Sequence, residues 1–239
     1  MVFRYYLKSL LRNYGYDIVK YNYITSSDLR SISLIQHNKV NLILDIGANK
    51  GQYTMRLRRA GYKGKIISFE PISSIFTELK NQVKKDIKWK AVNIALGNYD
   101  GKIKINISKN SESNSILNIL PRHIKSDPKS VYVGSEEVTI KKLDSIFSKY
   151  IDFHDRTFMK LDTQGYEINI LEGASKSLEN IIGIQIEMSL VSLYKGDKLF
   201  LDVTKYLYNK GFLLMSLEPV FCDSLTGQLL QVDGIFFRK

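Results

Sequence analysis

An apolar run, Leu42 to Ile46, passes through Asp45 directly into Gly47-Ala48-Asn49-Lys50-Gly51 and then into a helical pattern. A strand that empties into a small-residue turn before a helix is how a sheet makes room for a nucleotide, and the same alternation continues along the chain. Further strands are expected at 65–69, 88–93, 158–161, 181–188, 212–217 and 232–237, and helices at 52–60, 72–84, 166–178 and 199–209. This rhythm predicts an α/β fold with a mostly parallel sheet. Extra strands at 102–108 and 137–140 enclose a polar stretch with Asn110, Ser111, Ser113, Asn114, Ser115, Pro121 and Pro128, which reads as an inserted hairpin with a loop or lid. With 239 residues, the chain suits one well-buried domain with additions. The division expected is an N-terminal helical extension, 1–40, and a nucleotide-binding domain, 41–239.

Gly47 and Gly51 permit backbone conformations and close approaches that a side chain would block, and Asn49 tolerates a left-handed conformation. The spacing differs from the G-x-G-x-x-G that cradles a pyrophosphate. Glu70 closes the second strand and precedes Pro71, so its carboxylate can accept hydrogen bonds from both hydroxyls of a ribose, as an acidic residue does at that point of dinucleotide-binding folds. A helix-capping glutamate is the alternative.

Taken in order, Asp45 to Gly51, Phe69-Glu70-Pro71, Asn93-Ile94-Ala95-Leu96-Gly97 with Asp100-Gly101, Leu143-Asp144, Met159 to Glu167 and Leu171-Glu172-Gly173-Ala174 resemble the S-adenosylmethionine-dependent methyltransferases of the FkbM type. The resemblance spans residues 41 to about 190. It implies a Rossmann-like class I methyltransferase sheet with one antiparallel edge strand, and S-adenosyl-L-methionine across the carboxyl ends of the strands. On this reading Asp45 and Gly47 line the amino-acid portion of the cofactor, beside Asn49 and Gly51. Glu70 takes the ribose, and Asn93 with the backbone near Ala95 meets the adenine, unless Asn93 only forms a turn. Asp162 is expected near the sulfonium, with Glu187 pointing into the same crevice. Two carboxylates there can orient an acceptor hydroxyl, take its proton or hold a divalent metal ion. Each could instead cap a helix or pair with a lysine. Family members commonly carry glutamate where this chain has Gln164.

The implied acceptor is a sugar hydroxyl, in a bacterial surface glycan, or a small-molecule natural product. RNA methylation and non-catalytic nucleotide or glycan binding are the competing functions. The net charge of +11 is compatible with a polyanionic partner, but the lysines are scattered and no nucleic-acid-binding motif accompanies them. No Asn-Pro-Pro-Tyr or Asp-Pro-Pro-Tyr run is present, which argues against amino-directed nucleic-acid methylases. Hydrophobic residues at 44% and charged residues at 25% argue against disorder and membrane-spanning architectures. Arg4, Lys8 and Arg12 interrupt the first twenty residues, so a signal peptide or spanning helix is not expected and a cytoplasmic location is.

Phe3, Tyr6, Leu7, Leu10 and Leu11 recur at helical spacing. Such a stripe usually covers a sheet end or lines a cleft, and a basic amphipathic helix can also lie on a membrane surface. Gly15 is expected to end that helix and Ser27 to cap the next. Cys222, the lone cysteine, fits a reducing compartment and a half-buried strand position. Asp144 reads as an N-cap. His37, His123 and His154 lack metal-like spacing, and His123, in the expected lid, is a candidate base.

Overall fold

A computed structural model describes residues 2–152 and 154–239, with no side chains described for Val2, Phe3 and Arg4. Phe3's part in the apolar stripe therefore lies outside the described residues. The chain begins with α1 (Val2–Asn13) and α2 (Ser27–His37), followed by β1 (Leu42–Ile46), α3 (Gln52–Arg59), β2 (Lys65–Phe69), α4 (Ser73–Val83) and β3 (Trp89–Val92). A short β4 (Ala95–Leu96), β5 (Gly101–Ser108), α5 (Pro121–Ser126) and β6 (Tyr132–Lys141) form the insertion. Then come α6 (Leu143–Tyr150), β7 (Thr157–Leu161), α7 (Glu167–Gly173), β8 (Ile181–Ser189), α8 (Phe200–Asn209), β9 (Phe212–Cys222) and β10 (Leu229–Arg238).

Seven strands make one sheet in the order β3-β2-β1-β7-β8-β10-β9. β1, β2, β3, β7 and β8 pair in parallel, whereas β10 runs antiparallel to both β8 and the outermost strand β9. Every residue of β1 and β7 is buried, the pattern of central parallel strands covered on both faces. Alternation then sorts the side chains: Leu42, Leu44 and Ile46 enter the core with Ile170, Leu178 and Val203, while Ile43 faces Ile35, Leu57 and Phe158 in the other. Asp45 shares the Ile43 face, at the carboxyl end of the strand.

The insertion forms a second sheet, β4-β6-β5, in which the expected hairpin of β5 and β6 gains the short β4. Between β5 and β6 lie two 3-10 turns, Ser111–Ser113 and Pro128–Ser130, and α5, because Asn110 and Asp127 accept backbone N–H groups and cap both turns. The helix expected at 166–178 stops at Gly173, where an added Cβ would lie 1.8 Å from the Gly97 carbonyl oxygen. A tight crossing needs that glycine.

Several local expectations are corrected. Ser26, not Ser27, caps α2 through the Leu29 N–H. Lys142 occupies the N-cap of α6, while Asp144 accepts from the backbone of Lys176 and Ser177 and so caps the turn after α7. Cys222 is exposed at the end of β9. Tyr6, Leu7 and Leu10 of α1 are exposed as well, so this stripe covers neither the sheet nor the crevice. Ile32 and Ile35 of α2, in contrast, are buried against the sheet. No helix among the described residues is long and apolar enough to cross a membrane.

Candidate active site

At the carboxyl ends of β1, β2, β7 and β8 lies a crevice of about 850 Å³, within the range of small-molecule and cofactor sites. Open parallel sheets bind ligands at this end, where the strand order reverses on either side of β1. Asp45, Gly47, Asn49, Glu70, Ala95, Asp162 and Glu187 all line it. Gly51 and Asn93 do not.

The turn after β1 is held by β2, since the N–H groups of Gly47 and Ala48 both donate to the Phe69 carbonyl at 3.1 Å. Gly47 has φ +77°, and a Cβ there would stand 1.9 Å from the Asp162 carbonyl oxygen. Asn49 takes the left-handed conformation expected of it, with φ 48°, and its N–H donates to Glu70 Oε2 at 2.9 Å. Gly51 has φ +89° and makes room for the Trp89 indole, a packing role away from the crevice. The Asn93 amide donates to the Glu70 and Pro71 carbonyls, each at 2.9 Å, the contacts of a turn former, which is the alternative reading of this residue. Ala95 stays in the wall with Ile94 and Leu96.

Two buried carboxyls serve this turn. Asp45 Oδ2 accepts from Ser68 at 2.9 Å and Thr54 at 3.1 Å, and burial pushes its pKa up to about 6. Glu70 also accepts from the Ile72 N–H at 3.0 Å, at the N-cap of α4, so it combines the capping role with an orientation toward the crevice. Burial raises its pKa to about 7.

On the other side, Lys160 is buried at the end of β7, with Nζ 3.1 Å from Asp162 Oδ2 and 3.6 Å from Asp233 Oδ1. Burial disfavours its charge, but Asp162, Asp233 and Glu187 outweigh that and hold its pKa above the ordinary lysine value. Gln164, a left-handed residue with φ 55°, donates from Nε2 to Asp162 Oδ1 at 3.2 Å and to Glu187 Oε2 at 2.7 Å. Tyr194 donates to the Gln164 Oε1 at 2.7 Å, and Gln231 adds a second amide bond to Glu187 Oε2 at 2.8 Å. Burial, and then the Asp162 charge, raise the Glu187 pKa well above the usual carboxylate range. Glu167 accepts from Thr163 N–H at 2.8 Å and pins the loop that carries these groups.

Lys160, Tyr194, Gln231 and Asp233 were not expected in this cluster. Only Lys160 left a signal, a lone cation inside an otherwise apolar strand. The insertion closes one wall: Ser111, Glu112, Asn114 and Ile116 line the crevice, and Asn49 Nδ2 donates to the Ser111 carbonyl at 2.9 Å. His123 instead lies buried against Tyr194 and Phe221, outside the crevice lining, with its pKa lowered to about 4 by burial. It is a core histidine rather than a base. Among the described residues no group of three or more His, Cys, Asp or Glu side chains could hold a metal ion.

The strand order, the glycine turn after β1 and the acidic end of β2 together define a class I S-adenosylmethionine-dependent methyltransferase. Residues 45–214 match the Methyltransferase FkbM domain, and the chain belongs to that family. A candidate methyltransferase from Thermobifida fusca superposes with a TM-score of 0.51 at 12% identity, covering 89% of this chain and 79% of the other. An uncharacterised protein from Listeria monocytogenes serotype 4b gives 0.50 at 12% identity, covering 90% of this chain and 68% of its own. These likenesses show a shared fold. No curated protein matches the chain.

Proposed function

We propose that this methyltransferase acts on oxygen, at a hydroxyl of a sugar in a surface glycan or of a related natural product, in the cytoplasm. The observation that carries the reading is Asp162, a half-buried carboxylate at the floor of the crevice, aimed by Lys160 and Gln164. S-adenosylmethionine supplies an electrophilic methyl group on a positively charged sulfur. Against the buried cation Lys160 the crevice floor sets Asp45, Asp162 and Asp233, which suits a cationic ligand. The buried carboxyl of Glu70 fits a ribose that offers two hydroxyl donors, with Asp45, Gly47 and Asn49 beside the amino-acid portion and Ala95 against the adenine. Residues 41–239 form the transferase domain, on which α2 of the 1–40 extension packs.

In this reading Asp162 accepts a hydrogen bond from the acceptor hydroxyl, aims its oxygen and receives its proton as the new bond forms. Burial and the Asp162 charge raise the Glu187 pKa, which opposes a second negative charge beside Asp162. The wall from Ser111 to Ile116 shapes the acceptor side. The test is transfer of radiolabelled methyl from S-adenosylmethionine to a panel of monosaccharides, nucleotide sugars, glycan extracts and RNA. Base-stable label in a sugar supports the reading. Label only in RNA, or none in any acceptor despite cofactor binding, selects RNA methylation or non-catalytic binding instead.

A further inference from the structure

More than half of the exposed large hydrophobic residues of the described chain fall within Tyr5 to Ile24. Tyr6, Leu7, Leu10 and Tyr14 occupy one side of α1 and its end, at positions three and four apart. Beyond α1, Tyr16, Ile18, Val19, Tyr21, Tyr23 and Ile24 continue the exposed series. A helix of this length is marginal in water without a packed face, and among the described side chains of α1 none is buried. The polar flank carries Lys8 and Arg12, and Lys20 follows. Asp17 is the only acidic residue between positions 2 and 24. It pairs with Arg12 at 2.8 Å and Lys8 at 3.8 Å.

Apolar residues on one side, cations on its flank and tyrosines, with an apolar body and a polar tip, match the headgroup boundary of a bilayer. The far end of the segment is fastened to the domain: Arg30 donates to the Tyr23 carbonyl and to the Ile24 carbonyl at 2.8 Å, and it pairs with Glu218 of β9. Tyr21 and Val220 both line the mouth of the crevice. We propose that residues 2–24 dock the protein onto an anionic lipid surface, lying in the headgroup layer and setting the crevice mouth beside the membrane. This docking does not depend on which hydroxyl is methylated.

The experiment is co-sedimentation of the full chain with vesicles of phosphatidylcholine and phosphatidylglycerol in equal parts, and with phosphatidylcholine alone. Binding is expected to the anionic vesicles, weakening as salt rises. Leu7→Glu with Leu10→Glu, and separately Lys8→Glu with Arg12→Glu, are each expected to lower the partition at least about tenfold while thermal unfolding is unchanged, because those side chains cover no core. Absence of binding, equal binding to the neutral vesicles, or full binding by either double variant overturns the proposal. So does a mass showing a dimer that the leucine substitutions dissociate, since a second copy would then be what covers the stripe.

Discussion

The side-chain amide of Gln164 bridges the two acidic groups of the crevice floor, lying 3.2 Å from Asp162 Oδ1 and 2.7 Å from Glu187 Oε2. An amide nitrogen has two protons to give, and both are used. In Gln164→Glu a third carboxyl would replace a donor, leaving like charges together in a buried site. The variant should lose about 1–3 kcal/mol of stability and most of its turnover, measured by urea unfolding and by methyl transfer. Unchanged stability would show that the bridge contributes nothing.

Glu70 makes the ligand-free protein sensitive to pH. Folding raises its pKa from 4.5 to about 7, so between those values the folded chain holds more proton than the unfolded one and loses stability as pH rises. His123 works the other way below its ordinary 6.5, since its folded pKa is lowered to about 4. The His123 contribution is complete by about pH 6.5, and the raised Glu187 acts in the same direction as Glu70, so the parent and Glu70→Gln are compared: from about pH 6.5 to 7 the variant should show a shallower fall in melting temperature with rising pH. An identical slope in the variant would assign that dependence elsewhere.

Asp162→Asn keeps size and loses the anion that pairs with Lys160. We expect a fall in turnover of about 100-fold or more at saturating cofactor, the scale of a lost general base. The same assay after chelation and after adding back magnesium separates a lost base from a lost metal ligand. Normal turnover in the variant with a verified acceptor would leave Asp162 lining the crevice without acting in it.

Gly47→Ala should be harmful through geometry alone. A methyl group there meets the Asp162 carbonyl at 1.9 Å and the backbone has φ +77°, so both turns must shift. The conformation alone costs about 1–3 kcal/mol, and cofactor affinity should fall with it. A calorimetric melt matching the parent would contradict this close approach.

The parallel strands were legible because burial on both faces leaves an uninterrupted apolar run, as in Leu42 to Ile46. Glu70 was legible because a carboxylate that ends such a run must emerge at the crevice. Asn93 stands at a similar strand end, yet its amide turned back to the Glu70 and Pro71 carbonyls, and spacing could not choose between those partners. The Lys160 cluster was hidden for another reason: its counter-charge Asp233 and the amide donor Gln231 come from β10, brought alongside β8 only by the sheet order. The short helical turns inside the insertion were not legible because capped turns of serine, asparagine and aspartate look like unstructured chain.

The most direct test of the central claim is calorimetric titration of the full chain with S-adenosylhomocysteine and S-adenosylmethionine, repeated on Glu70→Ala. One-to-one binding of both is expected, with a loss of about 2 kcal/mol in the variant for the charge-assisted bonds to the ribose. Failure of the folded protein to bind either compound, or equal affinity in the variant, would contradict the placement of the cofactor in this crevice.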